Sequence, residues 1–145
     1  MNAIVAEEIQ YPSNGHTTPG YLVRPNDHQP YPAVVVLQEW WGLVPHIKDV
    51  ADRFAASGFI ALAPDLYHGE AASEPEEARK LSIALDRERA VAEVLAAARY
   101  LQALPEVAGR PTGVVGWCMG GGLSASAAAE SAGELGRRRC FTAVR

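Results

Sequence analysis

The sequence predicts an α/β fold: an N-terminal antiparallel hairpin joined to parallel strands with flanking helices. Three observations carry that expectation. Two β-type segments, 4–11 and 17–23, bracket Pro12-Ser13-Asn14-Gly15, a turn by composition. Ala33 to Leu37 is a continuous apolar run with β-branched residues, the pattern of a parallel strand buried on both faces. Downstream, apolar strand-like runs alternate with helical patterns, as βαβ units require.

Length and composition bound the problem. The 145 residues suit one domain, and 48 % hydrophobic content is enough for a core. A net charge of −4 offers no surface for nucleic acid. Two cysteines, Cys118 and Cys140, make no disulfide framework, which suits a reducing cytoplasm. No apolar run approaches the roughly 18 residues of a membrane span, and the N-terminus lacks the pattern of a secretory signal. The expected localisation is therefore cytoplasmic, with no membrane partner.

In chain order, Ile4 to Tyr11 reads as an edge strand and Thr17 to Val23 as its hairpin mate. His16, beside the turn, and His28, in the proline-rich connection 24–32, read as solvent-exposed. After the central strand 33–37, His46 to Ser57 has Ile47, Val50, Ala51, Phe54 and Ala55 on one helical stripe. Asp49 and Arg53 pair at i, i+4 on its outer side, and Gly58 suits its C-terminal end. Phe59 to Ala63 is the next buried strand, with Asp65, Tyr67 and His68 beyond its C-terminal end. Ser73-Glu74-Pro75-Glu76 has the form of a capping box with an early proline, opening a helix with Ala78, Leu81 and Leu85 on one face. Arg87 to Leu104 is another helix, buried along Val91, Val94, Leu95, Ala98 and Leu101 and ended by Pro105. Its charges, Glu93 included, read as a solvated side. Arg79 and Arg87 are candidates for an anionic substrate, against the simpler reading as solvated charges.

The chemistry concentrates in Val114-Val115-Gly116-Trp117-Cys118-Met119-Gly120-Gly121-Gly122. A strand feeds a Gly-x-Cys-x-Gly turn and a small-residue helix. This is the strand–turn–helix form of a nucleophile elbow with Cys in the Ser position. Residues two before and two after the nucleophile must be tiny for strand and helix to approach, and Gly116 and Gly120 meet that need. The helix N-terminus beside Cys118 favours thiolate, and free amides there suit a developing oxyanion. A small Cys buried in a Gly-rich turn is the plainer alternative. The glycine spacing is not that of a dinucleotide fingerprint, and the Gly-Lys-Ser/Thr of a phosphate loop is missing.

Together with Val34 to Leu43 and Ala61 to Tyr67, this elbow resembles the dienelactone hydrolases, α/β-hydrolases with a cysteine nucleophile. The resemblance covers roughly residues 5–129. It implies a hydrolase of small-molecule esters or lactones. Cys118 is then the nucleophile, and Glu39 the carboxylate that controls its protonation. The backbone amides of Trp40 and Met119 are the oxyanion hole. Read from the residues alone, Glu39 is either desolvated beside Trp40 and Trp41, with a raised pKa, or an ordinary loop carboxylate in water. Trp41, Tyr67 and His68 are candidates to line the substrate pocket. The family's substrate-carboxylate arginine would fall where His68 and Gly69 stand. No metal or organic cofactor is implied.

A nucleophile needs a base, and in this fold the acid and the histidine follow the nucleophile in the chain. No His and no Asp follows Cys118, and all four histidines precede it. The expectation is therefore an incomplete α/β-hydrolase fold over residues 1–132, with the last strands missing. Residues 133–145, with four arginines in the final nine positions, read as an irregular basic tail from a truncation or shifted reading frame. Such a chain is expected to turn over poorly and to self-associate through an open sheet edge. The alternative function is a non-catalytic fragment that needs a partner to complete its sheet.

Overall fold

The computed structural model describes residues 1–131; the expected basic tail, 133–145, lies outside them. The strands are β1 (Ile4–Ser13), β2 (His16–Pro25), β3 (Ala33–Leu37), β4 (Ile60–Pro64) and β5 (Thr112–Gly116). The helices are α1 (Pro45–Ala56), α2 (Pro75–Ala84), α3 (Arg87–Ala103) and α4 (Met119–Ser131). They form one five-stranded sheet in the order β1-β2-β4-β3-β5. β1 pairs β2, and β2 pairs β4, antiparallel; β3 runs parallel to both β4 and β5. This is the predicted hairpin joined to parallel strands. β3 is an interior strand, between β4 and β5, and is buried at every position. Among the described residues β5 pairs with β3 alone and forms the sheet's edge.

The hairpin runs further than composition suggested. Pro12 and Ser13 belong to β1, and Ser13 pairs His16 across a two-residue turn. Asn14 and Gly15 both have positive φ, 48° and 88°, the primed turn that Asn-Gly adopts most readily. The expected capping box also changes. Pro75 takes the first helical position, which forces the preceding residue into extended backbone. Glu74 is therefore the N-cap, without a side-chain bond, and Ser73 caps nothing. α1 behaves as read, burying Ile47, Ala51 and Ala55 and carrying an Asp49–Arg53 ion pair of 2.9 Å outside.

Alternation along the strands divides the core in two. Val34, Val36, Ala61 and Ala63 face α1. Val35, Leu37, Leu62 and Val114 face α3 and α4, where Val94, Leu101 and Leu123 complete the larger cluster. One assignment on α3 is overturned. Glu93 is not on a solvated side; it is fully buried. The helical period explains this, because Ala90, Glu93, Ala97 and Leu101 follow one another at intervals of one turn on the inward stripe. No helix among the described residues is long and apolar enough to cross a membrane.

Candidate active site

Three strand ends meet at the site, and the close approach of backbones sets its geometry. β5 ends at Gly116, Cys118 turns at φ 57°, and α4 begins at Met119. A positive φ is costly for a residue with a side chain and marks a constrained functional turn. A Cβ on Gly116 would drive into the carbonyl of Gly120, and a Cβ on Gly120 into the carbonyl of Gln38. The two glycines thus let α4 start directly against the end of β3. Cys118 itself is a free, exposed cysteine, so the alternative of a small buried Cys does not hold.

The end of β3 supplies the facing segment. Gln38 is fully buried, and its side-chain oxygen accepts from the Leu66 amide at 2.9 Å, tying β3 to the loop after β4. Glu39 and Gly42 then form a tight bridge, with the Gly42 amide donating to the Glu39 carbonyl at 3.2 Å. Glu39, Trp40 and Trp41 are each half-buried, and the two indoles meet edge to face at 5.4 Å. Among the described residues, neither the Trp40 amide nor the Met119 amide has a hydrogen-bond acceptor. Backbone donors left free for a ligand are what an oxyanion site requires.

Tyr67 joins the two turns. Its side chain is buried, and its hydroxyl donates to the Trp40 carbonyl at 3.0 Å and touches Met119 Sδ at 3.5 Å. Burial pushes the Tyr67 phenol up to about 12, so at neutral pH it remains a donor. Tyr67 thus braces Trp40 through its carbonyl and Met119 through its side chain, the two residues whose amides are the candidate oxyanion donors. Its own loop is folded by Asp65, whose carboxylate accepts from the amides of Tyr67 at 3.2 Å and Gly69 at 2.8 Å. That fold leaves His68 at φ 51°.

His68 turns to α3. Its Nε2 lies 2.5 Å from Glu93 Oε2, and His16 Nε2 lies 3.2 Å from the same oxygen. Thr18 Oγ1 donates to it at 2.6 Å, and Arg89 Nε approaches Glu93 Oε1 at 3.3 Å. His16, read from sequence as merely exposed, is therefore engaged. Arg79 holds Glu76 at 2.6 Å, while Arg87 reaches toward the elbow helix, 3.5 Å from where a Gly122 side chain would begin. Among the described residues no hydrogen bond joins Cys118 to a histidine. The structure thus brings together Cys118, Met119, Trp40, Gly116, Gly120 and Tyr67 and commits His68 to Glu93. Sequence reasoning missed Gln38 and Glu93 as organising groups.

The family model for "Dienelactone hydrolase family" matches residues 18–139, most of the chain. The chain belongs to the dienelactone hydrolase family. Protein usf of Aquifex pyrophilus is 35 % identical over 126 residues, covering 83 % of this chain and 54 % of that protein. A protein of Aquifex aeolicus (strain VF5) named "Putative carboxymethylenebutenolidase" is 32 % identical over 127 residues, covering 83 % of this chain and 54 % of its own length. Among solved structures, m3DLH superposes with a TM-score of 0.78 at 31 % identity, over 90 % of this chain and 56 % of that one. This dienelactone hydrolase-type chain spans about half the length of the curated relatives it matches.

Proposed function

We propose that this chain carries the nucleophile and oxyanion half of a hydrolase acting on ester or lactone bonds of small molecules. The observation that carries the reading is the left-handed backbone of Cys118 between Gly116 and Gly120, whose close packing sets α4 against the Gln38 carbonyl at the end of β3. The Cys118 thiolate attacks the carbonyl carbon. The Trp40 and Met119 amides hold the oxyanion of the tetrahedral intermediate. Collapse breaks the bond to the ester oxygen, which leaves as an oxyanion and takes its proton from water, and a thioester forms on Cys118. Water then cleaves the thioester to the free acid. Glu39, next to the Trp40 amide in sequence, controls the protonation of the thiol. A reducing cytoplasm suits the free Cys118.

Among the described residues no histidine is hydrogen-bonded to Cys118, so in this chain acylation is expected to outrun turnover. The test is hydrolysis of p-nitrophenyl acetate by the purified protein. A burst of p-nitrophenol close to one equivalent, followed by a slow steady state, is expected, and Cys118→Ala abolishes the burst. A burst retained in Cys118→Ala overturns the reading.

A second reading rests on the edge position of β5 among the described residues. An unpaired strand pairs readily with another chain, so the protein self-associates or completes its sheet with a partner. A concentration-independent monomer in sedimentation velocity removes self-association from this reading.

A further inference from the structure

We propose that His16, His68 and Glu93 form a binding site for a divalent transition-metal ion of the zinc class. The site is separate from Cys118 and does not depend on its role. Three elements far apart in sequence deliver one ligand atom each: His16 at the start of β2, His68 in the loop after β4, and Glu93 in α3. A ring nitrogen of His16, a ring nitrogen of His68 and a Glu93 carboxylate oxygen all lie within 4.8 Å of one another. Two imidazoles and one carboxylate are a ligand set that zinc takes, with a position left for water.

The geometry gathers three polar groups on one buried carboxylate. Both ring nitrogens and the Thr18 hydroxyl converge on the single atom Glu93 Oε2, at 3.2, 2.5 and 2.6 Å. Glu93 Oε1, in contrast, is buried without a hydrogen bond among the described residues. Ligands about 2.0–2.2 Å from a tetrahedral ion stand roughly 3.3 Å apart. The His16–Glu93 separation already matches that spacing, and the His68 ring needs only a small retreat. The outer shell is built as well: Thr18 and Arg89 orient the carboxylate, as groups around a metal ligand commonly do. Access is also provided. Glu93 is fully buried, but the His16 and His68 side chains are 41 % and 31 % exposed, so the ion enters from solvent between the rings.

The consequence is positional. An ion here ties the β1–β2 turn and α3 to the residue that follows Tyr67, the brace beneath Trp40 and Met119. Occupancy should therefore stiffen the loop that supports the elbow.

The experiment is titration of the metal-free, full-length chain with Co²⁺, read by its visible d–d absorption, and with Zn²⁺ in competition. One equivalent of Co²⁺ with a four- or five-coordinate spectrum is expected, displaced by Zn²⁺, with a raised thermal midpoint. His16→Ala and His68→Ala should each weaken binding by about tenfold or more. His16→Gln keeps a hydrogen-bond donor toward Glu93 but loses the ligand, so it should also weaken binding while its metal-free melting matches wild type. Absence of saturable binding overturns the proposal. So does equal binding in the His16→Ala/His68→Ala double variant, which would move the ion to another group such as a thiol.

Discussion

The Asp65–Gly69 loop meets the elbow through Tyr67 and the Glu93 cluster through His68, and the two regions are built in opposite ways. At the elbow the glycines set the geometry. Gly116 and Gly120 let backbone touch backbone, and Cys118 stands alone in left-handed geometry. At Glu93 the side chains do everything: two imidazoles, a hydroxyl and a guanidinium converge on one buried carboxylate from β2, the loop and α3. Local sterics hold the first region, whereas long-range electrostatics and hydrogen bonds hold the second. The first leaves donors unused for a substrate, and the second satisfies its donors internally.

The largest effect should come from Glu93→Ala. Removing one partner from a buried charged network typically costs about 3–5 kcal/mol, because the others are left without a partner. Chemical denaturation should show a loss of that order. A loss under about 1 kcal/mol would mean the cluster is not a structural centre and would break the contrast.

Gly120→Ala comes next. Its Cβ meets the Gln38 carbonyl, and backbone cannot yield as a flexible side chain can. Overpacking of this kind costs about 1–3 kcal/mol. The acylation burst should fall more steeply than stability, since α4 must shift away from Trp40. Unchanged burst kinetics would show that the close approach is not needed for the oxyanion donors.

Tyr67→Phe tests the link between the two regions. The lost hydroxyl bond to Trp40 is expected to cost about 0.5–1.5 kcal/mol. The sign with pH is fixed by the raised phenol. Its contribution is full below the ordinary pKa of 10.0 and is lost as pH rises toward about 12, because only the unfolded phenol ionises in between. Tyr21 rises to about 12 as well, so the readout is the difference between wild type and variant across that window. A wild type no more alkali-sensitive than Tyr67→Phe would contradict the buried brace.

The smallest effect should be at Asp49→Ala, which removes the exposed pair with Arg53. A change within about 0.5 kcal/mol is expected by thermal melting, and a larger one would show that this pair contributes more than an exposed ion pair ordinarily does.

The contrast also explains what could be read from sequence. The elbow, the central strand and the α1 stripe depend on residues within a turn or two of each other, and their spacing reveals them. Gly116, Cys118 and Gly120 needed no tertiary information. Glu93 pairs with His16 and Thr18 across most of the chain, and a charge on a helix ordinarily means water. The Ala90-Glu93-Ala97-Leu101 stripe was a signal that it points inward, outweighed by its polarity. The turn at Asn14-Gly15 was legible by type but not by length, because Pro12 and Ser13 are turn-forming residues drawn into β1 by pairing. The helix start at Pro75 was misplaced by one residue because a capping-box pattern and a first-turn proline compete for it.

The most direct test of the central claim is intact-protein and peptide mass spectrometry after brief exposure to p-nitrophenyl acetate. One acetyl group on Cys118, absent in Cys118→Ala and reduced in Gly120→Ala, is the predicted result. An unmodified Cys118, or acetyl found on Cys140 instead, would contradict the assignment of the elbow as the reacting centre.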